Sequence, residues 1–144
     1  MSKEKRMRQA TPKWLGVAVQ ALLFLERDGQ MCASGDIAAC IGSEVTLVRR
    51  VLARLVQAGL ITAKEGRVGG YCLTRSCEEI TLADVYRAVE IYEPICPGMI
   101  PPSPNTYCAG VTSALTNIIQ ESEQQMLKSW EQHTLASLAV YCEN

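Results

Sequence analysis

The stretch from Thr46 to Tyr71 constrains this chain more than any other, because a basic amphipathic helix runs there through one tight turn into a glycine hairpin. Thr46, Arg49, Arg50, Ala53, Arg54 and Gln57 recur at helical spacing on one face, while Leu47, Val48, Val51, Leu52, Leu55 and Val56 fill the other. One face can pack and the opposite face can meet phosphate. The turn Gln57-Ala58-Gly59-Leu60-Ile61 leads on to Gly66-Arg67-Val68-Gly69-Gly70-Tyr71. Glycine suits a hairpin tip because it takes positive φ without penalty and lets backbone approach a surface closely. The pair matches duplex DNA: a helix in the major groove brings arginines to guanine edges or phosphates, and a hairpin beside it reaches the backbone or the next minor groove. A merely solvated arginine face is the bland alternative, and the hairpin that follows at once shifts the reading toward DNA.

Charge distribution supports this where total charge does not, since the 144-residue chain carries a net charge of only −1. Up to Arg75 twelve Lys and Arg face six Asp and Glu, whereas from Ser76 onward Arg87 and Lys128 alone oppose nine acidic residues. A basic front and an acidic back let one end sit on a polyanion while the other stays off it. The length fits one compact domain or a small domain with an extension. No apolar run approaches a membrane span, and the charged N-terminus, Met1 to Gln9, is not followed by a leucine-rich block with a cleavage site, which predicts a cytoplasmic protein. Seven cysteines (Cys32, Cys40, Cys72, Cys77, Cys96, Cys108 and Cys142) are an odd number without a secreted disulfide spacing, so they read as reduced thiols.

Along the chain, Thr11 and Pro12 open a helix whose buried stripe is Trp14, Val17, Ala18, Ala21, Leu22 and Leu25 and which stops near Asp28-Gly29. Ser34 caps a short helix containing Ile37, Ala38 and Ile41, Gly42 closes it, and Ser43 caps the arginine helix, which makes a helix-turn-helix. Hairpin strands are expected near Leu60 to Glu65 and Tyr71 to Thr74. Thr81 and Asp84 then form a capping box, with Ile80 and Val85 as a hydrophobic staple, on a helix that runs to about Ile91. Five prolines between Glu93 and Tyr107 enforce an irregular segment. From about Gly110 a long helix carries Val111, Leu115, Ile118, Ile119, Met126 and Trp130. Such a helix beyond a linker has little of its own chain to pack on, and a second copy is the economical partner. Its folding back onto the winged domain is the alternative. The fold class is mainly α with a small β-hairpin wing: a winged helix-turn-helix over 1–91, a proline-rich linker over 92–109 and a dimerisation helix with its tail over 110–144.

The runs Ser34-Gly-Asp-Ile-Ala38, Val48-Arg-Arg-Val-Leu52, Leu55-Val-Gln-Ala-Gly-Leu-Ile61, Gly69-Gly-Tyr-Cys-Leu73, Ile80-Thr-Leu-Ala-Asp84 and Thr134-Leu135 resemble the winged-helix transcriptional regulators of the IscR, NsrR and CymR type. The resemblance spans nearly the whole chain and is most specific from Ala58 through Tyr71. It implies a cytoplasmic homodimer that binds double-stranded operator DNA, often as a repressor of palindromic sites, with signal reception in or beside the linker. By position it implies that Thr46, Arg49 and Arg50, with Arg54 on the same face, address the major groove. Arg67 to Gly69 would touch the minor groove, and Lys13 and Ser34 would hold phosphates.

The linker departs from that family's cluster-bearing members, which present three closely spaced cysteines and a further ligand to an iron–sulfur cluster. Here eleven residues separate Cys96 from Cys108, with no His, Asp or Glu among them. Two thiolates do not complete four ligands, so no cofactor is expected. A thiol switch fits better, with Cys96 in a proline-flanked loop, Cys108 near a helix start that favours the thiolate, and Cys32 in a short loop as a partner across the dimer. Cys40 reads as a small core residue, Cys72 as partly exposed on a wing strand, and His133 as a surface residue. A cluster- or small-molecule-sensing regulator of the same fold is the nearest alternative, and a winged helix used only for protein contacts is another. An enzyme is not expected: Cys-x-x-Cys, a phosphate loop and a nucleophile partnered by His133 are all missing.

Overall fold

The computed structural model describes residues 13–89 and 109–142. The expected cap at Thr11 and Pro12, the linker and both of its cysteines, Cys96 and Cys108, lie outside these residues. Helix α1 (Lys13–Asp28) buries Trp14, Val17, Ala18, Ala21, Leu22 and Leu25, the stripe read from the sequence, and ends where Gly29 turns to a φ of 66°. It packs on α2 (Ser34–Ile41), α3 (Val45–Gln57) and α4 (Leu82–Val89). Ile37, Val48, Val51, Leu52, Leu55, Ile80, Val85 and Val89 are completely buried in that contact.

Gly42 closes α2 in the left-handed region, at a φ of 69°, and its N–H donates to the Ala38 carbonyl. The serine caps are not formed as expected. Ala33 and Glu44 occupy the two N-cap positions, and neither side chain makes a capping hydrogen bond. Ser34 is already inside the first turn of α2, where its hydroxyl accepts from Arg49, and the N–H of Ser43 is used on the Ala38 carbonyl to close α2.

The wing is an antiparallel pair, β1 (Ile61–Lys64) and β2 (Gly70–Leu73), with Ile61 opposite Leu73, Thr62 opposite Cys72, Ala63 opposite Tyr71 and Lys64 opposite Gly70. Both strands are shorter than expected. Leu60 belongs to the turn after α3, where its N–H reaches the Leu55 carbonyl at 3.1 Å. Cys32 extends the sheet on its other edge: its N–H donates to the Tyr71 carbonyl at 3.0 Å and its own carbonyl accepts from Tyr71 at 2.9 Å.

The capping box of α4 is formed, with Thr81 N–H donating to Asp84 Oδ2 at 3.0 Å and Asp84 N–H donating to Thr81 Oγ1 at 3.1 Å. Among the described residues, helix α5 (Ala109–Trp130) packs on the body through its last turns, where Leu127, Met126 and Trp130 meet Ala83 and Tyr86. Tyr86 and Trp130 pack edge to face with ring centroids 5.5 Å apart, and the Tyr86 hydroxyl donates to Glu123. Helix α6 (Leu135–Ala139) returns to the core: Thr134 caps it, Leu135 is completely buried, and the Leu135 N–H donates to the Ile80 carbonyl. Among the described residues no helix is long and apolar enough to cross a membrane.

Candidate nucleic-acid interface

Helix α3 divides as its sequence demands. Val48, Val51, Leu52 and Leu55 are buried, Leu47 and Val56 half-buried, and Thr46, Arg49, Arg50, Ala53 and Gln57 exposed, with Arg54 half-buried at the edge of the polar face. The driving force is the burial of one apolar stripe, roughly 1.5–3 kcal/mol for each fully covered Val or Leu. That burial fixes the rotation of the helix about its axis and therefore where its arginines point.

A hydrogen bond from the basic helix and a backbone pairing beside it join this face to the wing. Arg49 Nε donates to Ser34 Oγ at 3.1 Å, which ties the middle of α3 to the first residue of α2. Two residues before Ser34, Cys32 is paired with Tyr71 of the wing strand β2. Strand β2 of the wing, the start of α2 and the arginine face are thus linked through one short path. Lys13 is exposed at the first turn of α1 and Arg67 at the wing tip.

The wing holds its shape through glycines at which a side chain would be strained or would lack room. Gly66 has a φ of 110° and Gly70 a φ of 145°. A methyl group at Gly69 would collide with the Lys64 carbonyl, so its role is to let the chain fold back on itself as well as to present backbone. Beside Arg67, Val68 is 81% exposed, an apolar side chain that the sequence reading did not single out. Its signal was its place between Arg67 and Gly69, since the tip of a tight hairpin offers no core to pack against.

The cysteines sort differently from expectation. Cys32 is buried, which corrects its reading as an accessible loop thiol: the pairing with Tyr71 draws it into the sheet, and its Sγ donates to Asp28 Oδ2 at 3.1 Å. Burial, then the Asp28 hydrogen bond and charge, push its pKa up to about 12. Cys77 is likewise buried and pushed up to about 12, by burial and by Glu26. Cys40 is exposed and not part of the core. The buried stripe of the short helix α2 runs through Ile37, Ala38 and half-buried Ile41, and Cys40 falls off its edge. Cys72 is half-buried and Cys142 exposed. Among the described residues no three His, Cys, Asp or Glu side chains converge as a metal-ligand set.

Residues 13–141 match the Rrf2 family model, described as an iron-dependent transcriptional regulator. A Mycobacterium tuberculosis protein assigned as an HTH-type transcriptional regulator is 29% identical over 137 residues, 92% of this chain and 81% of its own. Among solved structures, T. potens IscR superposes with a TM-score of 0.65 at 19% identity, over 96% of this chain and 91% of its own. CymR, the global cysteine regulator of Bacillus subtilis, does so with a TM-score of 0.59 at 21% identity, over 89% of this chain and 94% of its own. At these identities the two structures speak to the fold, a winged helix, while the family match covers nearly every described residue. A DNA-binding helix-turn-helix with its wing, joined to that match, makes this chain a member of the Rrf2 family of transcriptional regulators, which are not enzymes.

Proposed function

We propose that the chain is a cytoplasmic homodimeric repressor of palindromic operators. Thr46, Arg49, Arg50 and Arg54 read the major groove, Arg67 to Gly69 touch the minor groove, and Lys13 and Ser34 hold phosphates. The observation that carries the reading is the arginine face of α3, fixed in rotation by the buried stripe beneath it and held to α2 by the bond from Arg49 to Ser34. Two such faces one helical turn of DNA apart, about 34 Å, would read a two-fold site with doubled contacts. In domain terms, residues 1–91 form the DNA-binding part, 92–109 the linker and 110–144 the part that joins two copies.

Support for dimerisation comes from α5. Val111, Leu115 and Ile118 are 61%, 39% and 57% exposed, and they recur at helical spacing on the part of α5 that the other described residues leave uncovered. A stable pairing covers about 800 Å² on each partner, and a 22-residue helix offers that scale of surface. The Leu115→Glu/Ile118→Glu variant should sediment as a monomer with an unchanged circular dichroism spectrum and bind the palindrome at least about tenfold more weakly. Dimeric sedimentation of that variant would remove α5 from the interface.

Control is assigned to the linker thiols, Cys96 and Cys108, which flank the join between the winged helix and α5. Of the three thiols first read as the switch, Cys32 is held back by its burial. Peroxide should oxidise a linker thiol to a sulfenic acid, which condenses with a second thiol and releases water. Operator affinity should then fall in the wild type and stay constant in Cys96→Ser. Equal responses of the two proteins would exclude Cys96 as the sensor.

A further inference from the structure

Cys40 of α2 and Cys142, just beyond α6, are far apart in sequence yet line one open cavity of about 770 Å³. Both thiols are exposed. The walls between them are apolar, formed by Leu23 and Phe24 of α1, Ile41 of α2 and Ala139 of α6, and Arg27 and Glu26 border the same space. Small-molecule sites have volumes of roughly 300–1,000 Å³, apolar walls and a few polar groups that set orientation. The cavity has that make-up, and two nucleophiles besides.

We propose that this cavity is a reactive binding site for small, planar, carbonyl-conjugated electrophiles, quinones in particular, with the thiol of Cys40 or Cys142 as the attacking group. Each part of such a ligand has a counterpart. Its ring fits against Phe24 and the aliphatic walls, a carbonyl oxygen can accept from the Arg27 guanidinium, and the electron-poor ring carbon meets a soft sulfur nucleophile. The other described cysteines are poorer candidates: Cys32 and Cys77 are buried with thiols pushed up to about 12, and Cys72 is half-buried on the wing.

The step needs no external oxidant. A carbon–sulfur bond forms at the ring carbon β to a carbonyl as the S–H bond breaks, and the carbon–carbon π electrons move toward the carbonyl oxygen. That oxygen takes up the thiol's proton. Loss of the ring proton to the second carbonyl oxygen then restores aromaticity, and the product is a hydroquinone thioether. An adduct on Cys40 sits in the last turn of the helix whose first residue, Ser34, accepts from Arg49, so its bulk would act on the element that positions that arginine. This consequence rests on the DNA-binding reading, while the site itself does not.

The test mixes reduced full-length protein with menadione, a methylated naphthoquinone, under anaerobic conditions and follows adducts by intact mass and peptide mapping. One fast adduct per chain should appear on Cys40 or Cys142. Its rate should saturate with menadione and exceed that of glutathione by about tenfold or more. The Cys40→Ser/Cys142→Ser variant should lose the fast adduct, and Ala139→Trp, which keeps both thiols and fills the space between them, should lose the saturation. A wild-type rate that is linear in menadione and no faster than glutathione would overturn the site. So would a first adduct on another cysteine, or loss of two hydrogens without any adduct. No DNA enters the assay, so its failure is separate from failure of operator binding.

Discussion

Arg49→Ala should weaken operator binding by about 1–3 kcal/mol, roughly 5- to 150-fold, and Arg50→Ala by a similar amount, with the melting temperature of each variant nearly unchanged. Both side chains are exposed on the face of α3 opposite its buried stripe, so their loss leaves the core intact. Arg49 carries a second contribution, because its bond to Ser34 holds the guanidinium in place before DNA arrives and lowers the cost of ordering it on binding. Lysine at position 49 should restore only part of the affinity, since a point charge replaces the two-pronged fork. Fluorescence anisotropy with a labelled duplex measures the loss, and thermal melts measure the stability. A variant that melts normally and binds as tightly as the wild type would remove that arginine from the interface.

Gly70→Ala should cost about 3–5 kcal/mol of folding stability. The φ of 145° is one that L side chains rarely adopt, and the new Cβ would lie 2.5 Å from the Cys32 carbonyl oxygen and 2.7 Å from its carbon. Backbone has to move, and the two hydrogen bonds between Cys32 and Tyr71 are the ones displaced. Because that pairing joins the wing to the residues just before α2, operator affinity should fall along with stability. Gly16→Ala is the control: it lies in the helical interior of α1 with nothing within 4 Å of the added methyl, and it should stabilise by about 0.5–1 kcal/mol. Differential scanning calorimetry separates the two. Equal melting temperatures for Gly70→Ala and the wild type would show that the wing is not tied to Cys32 as described.

What was legible in the sequence is what depends on neighbours along the chain. The stripe of α1, the two faces of α3, the glycine turn at Gly42 and the reciprocal cap of Thr81 and Asp84 all follow from spacings of a few residues, and the structure forms each of them. The misreadings have several causes. Cys32 looked like a loop thiol because its partner, Tyr71, is remote in sequence, and only the folded sheet brings the two together. Ser34 and Ser43 have the right chemistry to cap helices, but Ser34 lies one residue inside α2 with its hydroxyl on Arg49, and Ser43 lies one residue before the N-cap Glu44. Cys40 sits in an apolar run, yet an eight-residue helix buries only a narrow stripe. The cavity it shares with Cys142 is assembled from three helices and has no local signal at all.

The central claim is that α3 and the wing bind DNA as a matched pair in a two-fold protein. Its most direct test is a salt titration of wild-type protein on a palindrome selected from a random duplex library, on the half-site alone and on a scrambled duplex. Tight binding to the palindrome is expected, with a steep fall in affinity as salt rises, the logarithmic slope close to 0.9 for each phosphate neutralised, and much weaker binding to the half-site. Arg49→Ala/Arg50→Ala should lower both the affinity and the slope. Binding that is flat in salt, or equal on all three duplexes, would contradict it.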